Sequence, residues 1–471
     1  MLMGRLFFMV TNIERVRKMN KSNSFRKTII IASLIFGMLF GAGNLIFPVH
    51  LGQLAGKNWL SASSGFLISS SLLPLMALIA ISITHSHGIF ELAKPISKKY
   101  ALVFLILIHA TLGPLFATPR TATVPYTIGI APLLPNTMDK IGLLIFSVIF
   151  FGIVFFLSAT EAKVTDLIGK ILNPIFLLLL FLIFFLAFLN PMGAAKDAPL
   201  TAAYTNNAFT NGFLEGYNTM DCLAALAFGI TVITAIRNLD FKNETEVAIT
   251  AIKSGLFGIL GIAIIYIGLI WLGATSLHDF KLSSNGGTAL AQISHYYLGT
   301  VGDALIAALT TITCITTAMG LVVAFAQDFH KHFPKISYKT FLAINCLLSF
   351  IIANMGLDMI ISWSTPVLML LYPLAISLVI LGILSPIFKN DPVVYKITTA
   401  LTLIPALFDM INALPDVLHS TSIIQNILSY AQRYLPMFDL GFSWVTFSLG
   451  GLFIGIIIHF AKRASFTAVE D

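Results

Sequence analysis

Runs of about twenty apolar residues recur from one end of the chain to the other. A run of that length crosses about 30 Å of hydrocarbon as a helix, which satisfies its backbone N–H and C=O groups within its own segment. Twelve spans are expected, at about 28–53, 60–83, 101–130, 141–160, 168–190, 212–236, 250–275, 302–327, 338–354, 359–386, 394–412 and 441–461. Apolar residues make up 57% of the 471 and charged ones 10%, more apolar surface than a soluble domain could cover. The expected fold class is therefore an all-α polytopic membrane protein of about twelve transmembrane helices.

Twelve crossings leave both termini on the same side of the bilayer. The termini and alternate connections on that side hold 22 of the 28 Lys and Arg; the opposite side holds five (Lys57, Lys140, Lys196, Lys281 and Arg433), and Arg120 lies within a span. Both ends are thus expected in the cytoplasm. The net charge of +7 follows from this topology and gives no reason to invoke nucleic acid. Cys222, Cys314 and Cys346 lie inside spans, too scattered for a metal pattern, and read as small apolar fillers with no disulfide framework. Met1 to Val10 lacks the features of a signal peptide, and Met19, followed by the basic flank Asn20 to Lys27, is a candidate start.

The first span is a poor helix at its centre. Gly37, Gly41 and Gly43 each cost up to about 1 kcal/mol against alanine, and Asn44 sets an amide at lipid depth. Glycines alone at this spacing would read as a packing seam. With Asn44 beside them, the expectation is a break that exposes N–H groups at the start of the second half-helix and carbonyls at the end of the first. Residues 37–45 then form a binding site at the bilayer midplane. Span 6 is interrupted in the same way by Gly212, Glu215, Gly216, Asn218 and Asp221. If spans 1–5 form a unit, their odd number makes a similar unit at spans 6–10 enter from the opposite face, and the first span of each is broken. That pattern points to an inverted-repeat transporter. The expected organisation is a basic N-terminus at 1–27, a first five-helix repeat at 28–190 and an external loop at 191–211. A second repeat at 212–386, helices 11 and 12 at 387–461 and a tail at 462–471 follow.

Two further spans carry polar groups. Span 3 holds His109, Pro114, Pro119, Arg120 and Pro125. Arg120 either snorkels to the outer interface or pairs inside the bundle with Asp221 or Glu215. Span 8 places Thr310, Thr313, Thr316, Thr317 and Gly320 close to one helical face. Their oxygens either replace the hydration shell of a small hard cation or bond back to their own helix. In the loop after span 2, His85, His87 and Glu91 read as solvated rather than as metal ligands.

These stretches resemble a known family, the bacterial branched-chain amino acid:cation symporters, also called system II carriers. The resemblance is carried by Phe40-Gly41-Ala42-Gly43-Asn44-Leu45-Ile46-Phe47-Pro48, by Gly113-Pro114-Leu115-Phe116-Ala117 with Pro119-Arg120-Thr121-Ala122-Thr123, and by Gly216-Tyr217-Asn218-Thr219-Met220-Asp221 with Leu226-Ala227-Phe228-Gly229. The family looks similar in turn to sodium-coupled amino acid transporters of the five-plus-five inverted-repeat fold, here with two extra helices. The resemblance implies that backbone around Ala42, Gly43 and Asn44 receives the substrate carboxylate, with Asn218, Thr219, Met220 and Phe228 also on the substrate. It implies a cation site from carbonyls near Gly37 and Phe40 with Thr313, Thr316 and Thr317. Arg120 and Asp221 are candidates for coupling or gating.

A zwitterion suits two broken helices, because its carboxylate meets a partly positive helix start and its ammonium the partly negative helix ends. Leu39, Met220 and Phe228 are candidates for the apolar wall. One methylene there separates ligands by only about 1–3 kcal/mol, so leucine, isoleucine and valine are expected to share one site. Symport of a neutral zwitterion with one cation gains about 2.3 kcal/mol per 100 mV, enough for accumulation without ATP, and no G-x-x-x-x-G-K sequence is present. The coupling ion is sodium or a proton, the latter carried by Asp221 or His109. No cofactor, no metal beyond a sodium site and no obligate protein partner is expected, and the location is a bacterial cytoplasmic membrane. A symporter for another neutral solute is the alternative; a membrane enzyme lacks its H-E-x-x-H or paired carboxylates, and a channel its filter rings.

Overall fold

A computed structural model describes residues 25–86, 88–159, 164–239, 241 and 243–467. Most of the expected basic N-terminus with Met19, and His87, Lys163, Lys242 and the last four residues, lie outside the described residues. The regular structure of the described residues is helical, with no strand among them. Polar residues start many of the helices at the interface: Ser97, Asn243, Asn285, Ser337 and Asp391 each accept a backbone N–H of the turn they open.

In chain order the helices are α1 (25–39), α2 (Ala42–Ala55), α3 (Trp59–Leu67), α4 (Leu73–Thr84), α5 (Ile89–Ala93), α6 (Lys98–Ala110), α7 (Ala117–Gly129), α8 (Asp139–Ala159), α9 (Val164–Leu189) and α10 (Ala208–Glu215). They continue as α11 (Asp221–Arg237), α12 (Glu244–Ser276), α13 (Gly286–His332), α14 (Tyr338–Ala353), α15 (Leu357–Phe388), α16 (Pro392–Asn412), α17 (Asp416–His419), α18 (Ser422–Tyr434) and α19 (Ser443–Thr467). Twelve crossing segments account for the expected spans. Segment 1 is α1 with α2, segment 2 is α3 with α4, segment 3 is α6 with α7, and segment 6 is α10 with α11; α8, α9, α12, the second part of α13, α14, α15, α16 and α19 are the others. Gly56, at φ 46°, ends α2 and turns the chain into α3. Two of the connections are helical too: α13 starts at Gly286 and kinks at Gly299, and α18 precedes α19.

Packing follows the expected five-plus-five order. Segment 3 packs on segment 8 and segment 4 on segment 9, pairs that an exchange of halves maps onto themselves. The same exchange maps α2-on-α12 onto α11-on-α4, and both contacts are present. It also maps α1-on-α12 onto α10-on-α3: a Cβ on Gly258 would stand 2.8 Å from the Ala32 carbonyl oxygen, and one on Gly212 2.1 Å from that of Ala62. Small residues let these backbones touch where no hydrophobic force drives helices together. Outside this frame α16 packs on α15 and α19. Large apolar side chains on α8, α9 and α14, such as Ile145, Phe185 and Leu347, remain exposed to form the surface a bilayer covers.

Candidate functional site

Segment 1 breaks where the sequence places the glycines. α1 stops at residue 39, Phe40 N–H still closes on the Phe36 carbonyl at 2.8 Å, and Gly41 is extended at φ −131°, ψ −163°. The last carbonyls of α1 and the first N–H groups of α2 thus lose their helical partners. Asn44 repairs one of them: its Oδ1 accepts the Gly41 N–H at 2.7 Å. Its amide nitrogen reaches across the bundle, donating to both Asp221 oxygens at 2.9 and 3.0 Å and to the Tyr266 hydroxyl. Tyr266 in turn donates to Asp221 Oδ2 at 2.5 Å, and all three residues are buried.

Segment 6 breaks by a different device. α10 gives way to a tight turn at Gly216–Thr219, Met220 takes the left-handed conformation at φ 61°, ψ 14°, and α11 begins at Asp221. Thr219 Oγ1 donates to the Gly216 carbonyl at 2.9 Å and accepts the Asp221 N–H at 3.4 Å. Asp221 therefore occupies the first turn of α11, where the helix dipole favours negative charge.

Arg120 settles inside the bundle, with 2% of its surface exposed, so the snorkelling alternative is corrected. Glu215, one of the two expected carboxylates, lies within electrostatic reach, but neither carboxylate is a hydrogen-bond partner. Nη1 donates to the Asn218 carbonyl at 2.8 Å and Nη2 to the Ser364 hydroxyl, while the guanidinium lies 4.9 Å from the Phe47 ring centroid. The physical reason is the unwound turn, which leaves the Asn218 carbonyl without a helical donor and so offers the planar fork an acceptor.

Between the two breaks lies a cavity with about 450 Å³ of empty space, some of it continuous with the exterior. It brings together Leu39, Ala42, Gly43, Asn44, Arg120, Asn218, Thr219, Met220, Asp221, Phe228 and Thr317. Gly37, Phe40, Thr313 and Thr316 do not line it. Thr317 packs on the first break, since a Cβ on Gly41 would stand 2.9 Å from its Cγ2. The hydroxyls of Thr316 and Thr317 donate to the Thr313 carbonyl at 2.7 and 3.1 Å, the back-bonding arrangement, and the Thr313 hydroxyl is buried without a partner. A hydroxyl whose hydrogen is engaged keeps its lone pairs, so back-bonding and cation ligation are compatible.

His109 is not at the cavity; its Nε2 meets Asp328 Oδ2 at 2.7 Å and ties α6 to α13. Among the described residues no cluster of three His, Cys, Asp or Glu could hold a metal. Sequence reasoning missed Tyr266 and left Ser364 unassigned. The one signal for Tyr266 was a lone hydroxyl in an otherwise apolar stretch, Ile264-Ile265-Tyr266-Ile267.

Residues 24–462 match the family model described as branched-chain amino acid transport protein. The chain belongs to this family. It is a family of transporters and not of enzymes. Among its relatives, the branched-chain amino acid permease BrnQ of Lactobacillus delbrueckii subsp. lactis is 41% identical over 91% of this chain and 95% of the relative. The permease BraB of Bacillus subtilis is 38% identical over 93% and 97%. Two solved structures share the fold. Mhp1, a nucleobase-cation-symport-1 family transporter in a closed conformation with bromovinylhydantoin bound, superposes with a TM-score of 0.55 at 12% identity, covering 93% of each chain. MhsT in complex with L-phenylalanine gives 0.55 at 15%, covering 92% of this chain and 97% of its own. The family and the fold together confirm the expected multi-pass, all-helical transporter architecture.

Proposed function

We propose that this permease imports leucine, isoleucine and valine across a bacterial cytoplasmic membrane by symport with a cation, with both termini in the cytoplasm. The observation that carries the reading is the cavity walled by two interrupted helices of opposite halves, joined through Asn44 and Asp221. The start of α2 at Ala42 and Gly43 receives the carboxylate, and the carbonyl ends of α1 and of the Gly216–Thr219 turn face the ammonium. Leu39, Met220, Ala224 and Phe228 give the side chain an apolar wall. A second, cation-binding position uses carbonyls near Gly37 and Phe40 with Thr313, Thr316 and Thr317; the buried, unpartnered Thr313 hydroxyl supports it.

Uptake of radiolabelled leucine into proteoliposomes, with sodium and pH gradients imposed one at a time, tests the proposal. Uphill uptake under one gradient, competed by isoleucine and valine, is the expected result. Downhill flux alone would remove the symport mechanism, and uptake of a different neutral solute with no competition by leucine would replace the substrate.

A further inference from the structure

The two helices outside the five-plus-five frame carry a polar cluster that the cavity does not use. Asp409 in α16 is 1% exposed, and neither of its carboxyl oxygens has a hydrogen-bond partner. The Ser443 hydroxyl and Trp444 Nε1 at the start of α19 are likewise buried and unpartnered, as is the Tyr217 hydroxyl in the second break. They share one neighbourhood. α16 packs on α19, Phe442 meets Phe213 at 5.0 Å between ring centroids, Trp444 stands beside the Tyr217 hydroxyl, and Tyr217 is within electrostatic reach of Asp409.

Other titratable groups face this cluster, and the charged Arg120 and Asp221 lie within electrostatic reach of Tyr372. α15 contributes Tyr372, stacked on Tyr217 at 4.0 Å, and α11 contributes Cys222. On α18 the titratable side chains of Tyr430, Arg433 and Tyr434 are exposed and turn away. A buried carboxylate with no cation beside it is strongly disfavoured, so the group there holds a proton unless donors and water converge on it. Tyr O–H, Ser O–H and Trp N–H are such donors. An indole N–H can donate to a carboxylate but cannot ligate a metal, and this donor set fits a titrating carboxyl.

We propose that Asp409 is a proton-binding site, separate from the substrate cavity, whose charge is sensed at the second break through Tyr217. Protonation neutralises the carboxyl and frees the Tyr217 hydroxyl; deprotonation recruits that hydroxyl, and with it the turn that Arg120 holds at Asn218. The site is independent of which cation drives transport.

Difference infrared spectroscopy of the purified full-length permease in lipid, titrated from about pH 5 to about pH 9, reads the carboxyl directly. A protonated-carboxyl band that fades as pH rises, and that is missing in Asp409→Asn, is expected; identical spectra for the two proteins would overturn the site. If Asp409→Asn does not fold, Tyr217→Phe decides. Loss of the hydroxyl donor should raise the titration midpoint by about half to one pH unit, and an unchanged midpoint overturns the link. Leucine counterflow in the same proteoliposomes should lose its pH dependence in Asp409→Asn; a wild-type profile there would overturn the sensing role. The infrared result does not depend on leucine being the substrate.

Discussion

Asn44→Ala separates the two interruptions, and its cost follows from the bonds it removes. Gly41 N–H loses its 2.7 Å acceptor, and Asp221 loses donors at 2.9 and 3.0 Å while staying buried beside Tyr266. An unmet buried N–H costs about 1–3 kcal/mol, and a hydrogen bond to a charged group contributes about 1.5–3 kcal/mol. The two together destabilise the joined arrangement by about 2.5–6 kcal/mol. The share specific to the Asn44–Asp221 pair is about 2 kcal/mol, or roughly thirty-fold in affinity. Equilibrium leucine binding to the wild type, Asn44→Ala, Asp221→Asn and the double variant forms the cycle, with thermal unfolding as a check on folding. The double variant should bind about thirty-fold better than the product of the single effects predicts. Additive effects, within about twofold, would refute the idea that these side chains act as one link between the halves.

Arg120→Lys keeps the charge but cannot reach the Asn218 carbonyl and Ser364 together, so uptake should fall by about tenfold or more at unchanged expression; full uptake would show that the fork is dispensable. Replacing Thr316 and Thr317 with alanine should weaken cation dependence before amino acid binding, and an unchanged cation requirement in uptake assays would remove the cation assignment. A Cβ on Gly273 would stand 2.0 Å from the Val49 carbonyl oxygen, so Gly273→Val should force α2 from α12 and abolish monodisperse protein on size-exclusion chromatography. At the start of α16, burial works to raise the Asp391 carboxyl. The His459 and Val393 N–H bonds outweigh it, and its pKa lies below the ordinary carboxylate value. A lowered folded pKa means stability that is present above about pH 4 and lost as pH falls further. Acid titration followed by tryptophan fluorescence should therefore show Asp391→Asn to be the less acid-sensitive protein.

Much of this was legible in the sequence because the bilayer narrows the choices. Glycine and asparagine inside an apolar run have few explanations there, so the breaks at Gly41 and Gly216 and most residues of the cavity could be named from spacing and resemblance. What escaped depends on contacts between distant segments. Tyr266 is one hydroxyl among apolar neighbours, and nothing local says that it faces Asp221, 45 residues earlier. The partner of Arg120 escaped for another reason. Charge complementarity suggested a carboxylate, whereas the acceptor is a main-chain carbonyl exposed only because the turn around it is unwound. Helices such as α18 were hidden because they are too short and too polar to stand out by hydropathy.

The two interruptions also differ mechanically. Gly41 is extended, an unstrained conformation, and the first break is held by the Asn44 side chain and by Thr317 packed against it. Met220, left-handed despite its side chain and followed by a residue bound to Asn44, makes the second a stiff elbow. A glycine in place of Met220 would adopt the left-handed conformation without a side-chain cost and so slacken the second break.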